Sequence, residues 1–428
     1  MTGPDLSAAA DRITRRPIRV AIFTTHPIQY QAPLFRRLAD SSELKPVVLF
    51  GSHQGLEVSL DKGFGTRFQW DIPLVDGYEH QFVQNVARRP DVDSFLGMRL
   101  SNAHAILHDG GFDACIVFGW QTVAHLQMMR AAWRLGIPLV VRGESNLLRR
   151  PEPSIRALAR TALWLPLRDR IYRALFRRVS AFAVIGTRNA EYYRHFGVPS
   201  SRLFWAPYGV DNEHFALMGA VRGAARAKRR AELGAAADTT VFLSAAKLLK
   251  RKRPLDLLSA FATCVKSGID ARLVYVGDGP ERSNLESAIV EQNLGSRVTI
   301  TGFVNQTRIP EWYAAADCLV LPSDSFETWG LVVNEGMAAG LPVIVSDAAG
   351  CAPDLVDEGA NGFAFPLGDT GALADRLRRV AEAGVGRRAQ MGSRSQEIVS
   401  RFTLAGAADA IAAATIALVD KRKCPDSV

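Results

Sequence analysis

Apolar positions along this chain come in short runs separated by longer amphipathic stretches, and the alternation repeats. Runs at 18–23, 47–50, 114–118, 138–141, 181–185 and 203–206 predict buried strands. After a break they resume at 241–245, 272–276, 298–301, 318–321, 343–345 and 362–365. Between them, segments 32–39, 121–135, 254–266 and 330–339 place apolar residues at helical spacing. Alternation of this kind predicts an α/β protein with parallel sheets covered on both faces, because a parallel connection needs a crossover element. Two series of about six strands predict two doubly wound, Rossmann-like domains facing a central cleft.

The boundary is readable. Pro207-Tyr208-Gly209-Val210-Asp211 has turn chemistry and follows a strand, an Ala/Arg-rich helical stretch occupies 220–233, and a new strand opens at 239. This places a hinge near 206–217. The expected division is a disordered tail over 1–16, an acceptor-binding domain over 17–211, a donor-binding domain over 212–403, and a terminal helix and tail over 404–428. The alanine-rich pattern at 404–419 is nearly apolar on one side and should pack on a domain. In open parallel sheets, ligands bind in the loops leaving the carboxyl ends of the strands.

Composition narrows the classes. Of 428 residues, 48% are hydrophobic and 22% charged, which is a globular balance. No apolar run reaches the ~18 residues of a membrane span, and the N-terminal stretch lacks the apolar core of a secretory signal. Five scattered cysteines without zinc or redox spacing suggest reduced thiols and a cytoplasmic protein. The net charge of +9 is concentrated: nine arginines and two acids lie between 149 and 178. No nucleic-acid motif accompanies them. The segment 154–179 reads either as a basic helix resting weakly on an anionic membrane, peripheral at the inner face, or as two helices with a solvated face, broken near Pro166.

The stretch 323–347 carries candidate chemistry. A strand at 318–321 is followed by a turn, a helix starting near 328–330, and Gly340-Leu341-Pro342, which ends it. The first amides of such a helix are unpaired and its dipole is positive there, so it suits a diphosphate, and Gly330 keeps no side chain in the way. Glu327 precedes the helix and Glu335 lies on it, and carboxylates accept hydrogen bonds from vicinal hydroxyls. By spacing alone, two such glutamates read more simply as a solvated surface residue and a favourable charge at a helix start. Lys247 and Lys252, in the loop after the strand 241–245, either neutralise a leaving diphosphate or belong to a solvated basic loop. Gly277-Asp278-Gly279 lacks the third glycine of a dinucleotide fingerprint, so NAD binding is rejected.

Five motifs occur in order: Lys247-Leu248 with Lys252, 276–280 as VGDGP, 301–304 as TGFV, Glu327-x7-Glu335 with NEGMAAGLPVI, and 361–366 as NGFAFP. Together they resemble family 4 glycosyltransferases, which are retaining enzymes of the GT-B fold. The likeness is specific over 239–367 and looser elsewhere; HPIQYQAPLFRRLA at 26–39 and the PYGVD hinge also resemble parts of that family. The resemblance implies that Glu335 holds ribose hydroxyls, Glu327 contacts the donor sugar, and the amides of Gly330, Leu331 and Val332 meet the diphosphate. It also implies that Lys247 and Lys252 neutralise phosphate charge and that Phe303 and Val304 lie beside the base. Lys247 stands where the family has an arginine, which keeps the charge and loses the planar fork.

On the acceptor side, His26, Gln29 and Tyr30 follow the first strand, Trp120 and Gln121 another, and Arg142 and Glu144 a third. All are expected on one sheet edge, with Arg142, His26 and Glu144 orienting an acceptor hydroxyl or touching the diphosphate. Asp91-Val92-Asp93 reads as a solvated turn and not a metal site. The expected reaction moves a sugar from a nucleoside diphosphate sugar, UDP favoured and GDP possible, to a hydroxyl of a glycan, lipid-linked saccharide or small natural product. The configuration would be retained, and neither metal nor other cofactor is expected. An epimerase or phosphorylase on the same fold and a non-catalytic sugar-nucleotide binder remain as alternatives.

Overall fold

The computed structural model describes residues 16–57, 59–61, 66–148 and 155–423, with side chains described outside 59–61, 66–68 and 155–164. Most of the expected N-terminal tail, residues 149–154 of the basic segment and Cys424 lie outside the described residues. Arg16, expected in that tail, instead forms a two-pronged pair with Asp113 at 2.8 and 3.0 Å.

Two parallel sheets carry the chain. In the first, β1 (Ile18–Thr24), β2 (Leu44–Phe50), β5 (Glu79–Phe82), β6 (Ala114–Phe118), β7 (Leu139–Arg142), β8 (Ala181–Val184) and β9 (Leu203–Trp205) run in the order β5-β2-β1-β6-β7-β8-β9. The hairpin of β3 (Ser59–Asp61) and β4 (Thr66–Phe68) stands apart from it. In the second sheet, β10 (Thr240–Ala245), β11 (Ala271–Val276), β12 (Val298–Ile300), β13 (Cys318–Leu321), β14 (Val343–Ser346) and β15 (Gly362–Phe365) run in the order β12-β11-β10-β13-β14-β15. The central strands β1, β6, β10 and β13 are buried nearly throughout, which is why they read as unbroken apolar runs.

The apolar pattern misses the hairpin strands β3 and β4 and, within the large sheets, the strand β5. Its sequence is Glu-His-Gln-Phe, and it pairs only at the sheet edge, with Val47 opposite Glu79, where polar side chains stay in water. The basic segment forms one helix, Ile155–Arg177, with Pro166 inside it, and not the two helices that the proline suggested. Pro166 lies on an exposed part of that helix.

The domains are crossed twice by the chain. The crossings touch where Val210 bridges Thr403. Gly209 is required there: a Cβ would come within 2.6 Å of the Thr403 carbonyl carbon. The second crossing delivers the last helix, Leu404–Lys423, back onto the first domain. Its Ala407, Ala408 and Ile411 share a core with Leu34, Phe35 and Ile18.

Candidate active site

The carboxyl ends of both sheets open into a single cleft of about 1750 Å³ lined by residues of both domains. On the second domain, β13 ends in a loop that turns into the helix Leu331–Ala338 at Gly330, whose φ is +107°. A side chain at Gly330 would strain this backbone and press within 2.6 Å of Leu321 Cδ2. Gly330, Leu331 and Val332 line the cleft, so the unpaired amides of the helix start lie at its wall.

Glu327 sits just before that helix and pairs with the Lys252 ammonium. Burial pushes its carboxyl pKa up, but the charge of Lys252 and its hydrogen bond hold it below the ordinary range. Glu335 has a different environment. It is 9% exposed, and burial pushes its pKa up to about 7, against the opposing bond from Tyr313. The Tyr313 hydroxyl donates to Oε2 at 2.6 Å. One carboxylate is thus held as an anion, and the other is poised near neutrality. Both line the cleft, with Lys247 and Lys252.

The lysine loop owes its place to two glycines. A Cβ at Gly277 would meet the Ala246 carbonyl oxygen at 1.9 Å, and one at Gly279 the Leu248 carbonyl oxygen at 2.6 Å. Leu248 N–H donates to Asp278 O at 2.8 Å, tying the two loops together. The glycine pair that resembles a dinucleotide motif therefore packs one loop against another.

On the first domain, His26, Gln29, Tyr30 and Glu144 line the cleft as expected. His26 has a lowered pKa because burial disfavours its cation, with Asp93 opposing. Asp91 and Asp93 border the cleft as well, so the expected solvated turn faces the site. Two other expectations are corrected. Trp120 is not at the cleft wall; it packs on Phe176, Tyr193 and Tyr192, with ring centroids 5.4, 5.9 and 6.1 Å away. The neighbouring Gln121 faces the cleft instead. Arg142 is 3% exposed and turned inward. It donates to the hinge carbonyls of Ala206 at 2.5 Å and Pro207 at 3.5 Å, and its guanidinium lies 4.9 Å from the Tyr208 ring centre. It braces the hinge and is not among the residues that line the cleft.

Hydrogen bonds join the two domains at several places. Thr328 Oγ1 donates to Glu144 Oε2 at 3.1 Å. Thr187 N–H donates to Asp354 at 3.0 Å, and Arg188 to the Asp347 carbonyl at 2.5 Å. Asn305 Nδ2 donates to the Gln69 carbonyl at 2.8 Å. Cleft residues that the strand-end reading passed over include Trp70, Phe82 and Thr328. Phe82 stacks on His53 at 3.9 Å. They come from loops and an edge strand without periodicity, so spacing gave no signal for them.

Comparison with known proteins agrees with the resemblance. Residues 225–398 match the family model described as glycosyl transferases group 1. The alpha-D-kanosaminyltransferase of Streptomyces kanamyceticus is 27% identical over 282 residues, 65% of this chain and 70% of that one. A D-inositol 3-phosphate glycosyltransferase of Saccharomonospora viridis is 36% identical over 185 residues, and the chain spans only 40% of that relative's length. Anabaena HepE, solved with UDP and glucose, superposes with a TM-score of 0.69 at 19% identity, covering 94% of this chain and 100% of that one. The fold is GT-B, and the likeness to family 4 glycosyltransferases holds in the second domain. Among the described residues, no helix is long and apolar enough to cross a membrane.

Proposed function

We propose that this GT-B chain, whose residues 225–398 match the group 1 glycosyl transferases, moves a sugar from a nucleoside diphosphate sugar to an acceptor hydroxyl with retention. One observation carries the reading: a helix start and two lysines form a cationic pole in the same cleft as two carboxylates of opposite character. The amides of Gly330 to Val332, with Lys247 and Lys252, would take the diphosphate and the charge it gains on leaving. Glu327, ionised, would accept from donor sugar hydroxyls, and Glu335 from the ribose. The sugar would leave and be captured on one face, with His26 and Gln29 beside the acceptor; positioning and electrostatics supply most of the rate. UDP is favoured because HepE was solved with it; GDP is the second choice. Acceptors compatible with the reading are glycans, lipid-linked saccharides and small natural products.

The helix Ile155–Arg177 exposes Leu167 and Ile171 beside Arg170 and Arg173. This supports weak peripheral contact with an anionic membrane, at the cytoplasmic face. Failure to sediment with anionic vesicles at low salt would remove that part.

A panel of nucleotide sugars and acceptors tests the reading as a whole. The expected result is nucleoside diphosphate release only when an acceptor is present, with a product of retained anomeric configuration by NMR. Nucleotide release without an acceptor would favour an epimerase or phosphorylase type of chemistry, and tight nucleotide binding without transfer a non-catalytic binder.

A further inference from the structure

The donor's nucleotide would lie on the second domain, yet the first domain reaches into the same region. Trp70 follows the hairpin of the first domain and lines the cleft with Phe303, Val304, Gln306 and His214. The Trp70 and Phe303 rings meet edge to face, with centroids 6.1 Å apart. Both neighbours of Trp70 are bonded to the loop that follows Phe303. Asn305 donates to the Gln69 carbonyl at 2.8 Å, and the Thr307 N–H donates to Asp71 at 3.2 Å. The Thr307 hydroxyl donates to the same Asp71 carboxylate. His214 Nε2 is 2.9 Å from the Gln306 carbonyl, which fixes the loop from its other side.

The loop also adjoins the ribose end of the cleft. It leads directly into the helix Ile309–Ala315, whose Tyr313 bonds Glu335. The family resemblance puts the base beside Phe303 and Val304, and the Trp70 indole lines the cleft with them, in contact with Phe303.

We propose that Trp70 of the first domain forms a wall of the donor's base subsite, held against it by the Asn305–Gln69 and Thr307–Asp71 bonds, so that base recognition is shared between the domains. This rests on the donor-site reading above. Trp70 is half-buried and presents a π-face or edge at a site otherwise built from one domain. An aromatic wall binds any base through its π-system, and the domain contact then fixes how wide a base fits.

The test measures the affinities of UDP, GDP, ADP and inorganic diphosphate by calorimetry for the wild type, W70A and W70F. W70A should lose about tenfold for the preferred nucleotide, with inorganic diphosphate unchanged. The preference among bases should narrow, and W70F should restore most of the loss. W70A that binds every nucleotide as the wild type does would overturn the proposal. So would an equal loss for diphosphate and nucleotide, because the residue would then act on the whole domain arrangement. A wild type that binds no nucleoside diphosphate would overturn the donor reading itself, a result distinct from either.

Discussion

The Glu144 carboxylate of the first domain accepts a 3.1 Å hydrogen bond from the Thr328 hydroxyl of the second, across the cleft. The same carboxylate accepts from Tyr30 at 3.3 Å and from Tyr208 in the hinge. Thr328 directly follows Glu327 in the loop before the helix Leu331–Ala338. One side chain therefore ties the first domain and the hinge to the loop that carries Glu327.

Removing that tie should act on turnover more than on nucleotide binding. In E144A, three hydroxyls lose a charged acceptor, and the loop loses its anchor on the first domain. A loss on the order of 1–3 kcal/mol is expected in the transition state, so kcat should fall by about tenfold or more. Nucleotide affinity, which the proposed function assigns to groups other than Glu144, should hardly change. Equal losses in kcat and in nucleotide affinity would show that Glu144 supports the whole site and not only the tie between the domains.

The pairing of Lys252 with Glu327 allows folding and catalysis to be separated. K252A strands a largely buried carboxylate without its cation, and breaking such a pair costs about 3–5 kcal/mol of stability. Turnover should fall by about hundredfold or more if Lys252 also stabilises a leaving diphosphate. The double variant K252M/E327Q removes both charges, so its melting temperature should recover while its activity stays low. Recovery of activity with stability would mean that the pair is structural only.

The central strands were legible because burial on both faces leaves unbroken apolar runs, as in β10 and β13. The polar edge strand β5 was not, because its pairing depends on a neighbour far along the chain. Glu327, Glu335, Lys247 and Lys252 line one cleft, as their positions relative to strand ends and a helix start suggested. Arg142 and Trp120 were misplaced for the opposite reason: strand-end position shows which edge a residue is on, and not whether its side chain turns toward solvent or core. Arg142 turned inward to the hinge carbonyls, and Trp120 joined an aromatic cluster with Phe176. Trp70 and Thr328 find their partners Phe303 and Glu144 only where the two domains meet.

Chelation should leave activity intact. The cationic pole of the cleft is built from Lys247, Lys252 and helix amides, which can offset the charge of a leaving diphosphate without a cation. Among the described residues, no three His, Cys, Asp or Glu side chains gather to hold a metal ion. Turnover after treatment with excess EDTA is the measurement. Loss restored by Mg²⁺ or Mn²⁺ would overturn the expectation and direct attention to Asp91 and Asp93, which border the cleft beside His26.

Glu335 should give stability and nucleotide binding opposite responses to pH. Burial raises its carboxyl in the folded protein from 4.5 to about 7. Between those values the folded state holds a proton that the unfolded chain has released, so its contribution to stability is present at the acid end and is lost as pH rises to about 7. A ribose diol donates to the carboxylate, so binding favours the ionised form. Nucleotide affinity should therefore rise as pH increases toward about 7 and level off above it. E335Q cannot ionise and should show neither slope, with weaker nucleotide binding throughout. Urea unfolding and calorimetric titration from about pH 5 to about pH 8, on the wild type and E335Q, read both slopes. A nucleotide affinity that is flat across this range, or that falls with pH, in the wild type would remove Glu335 from the ribose.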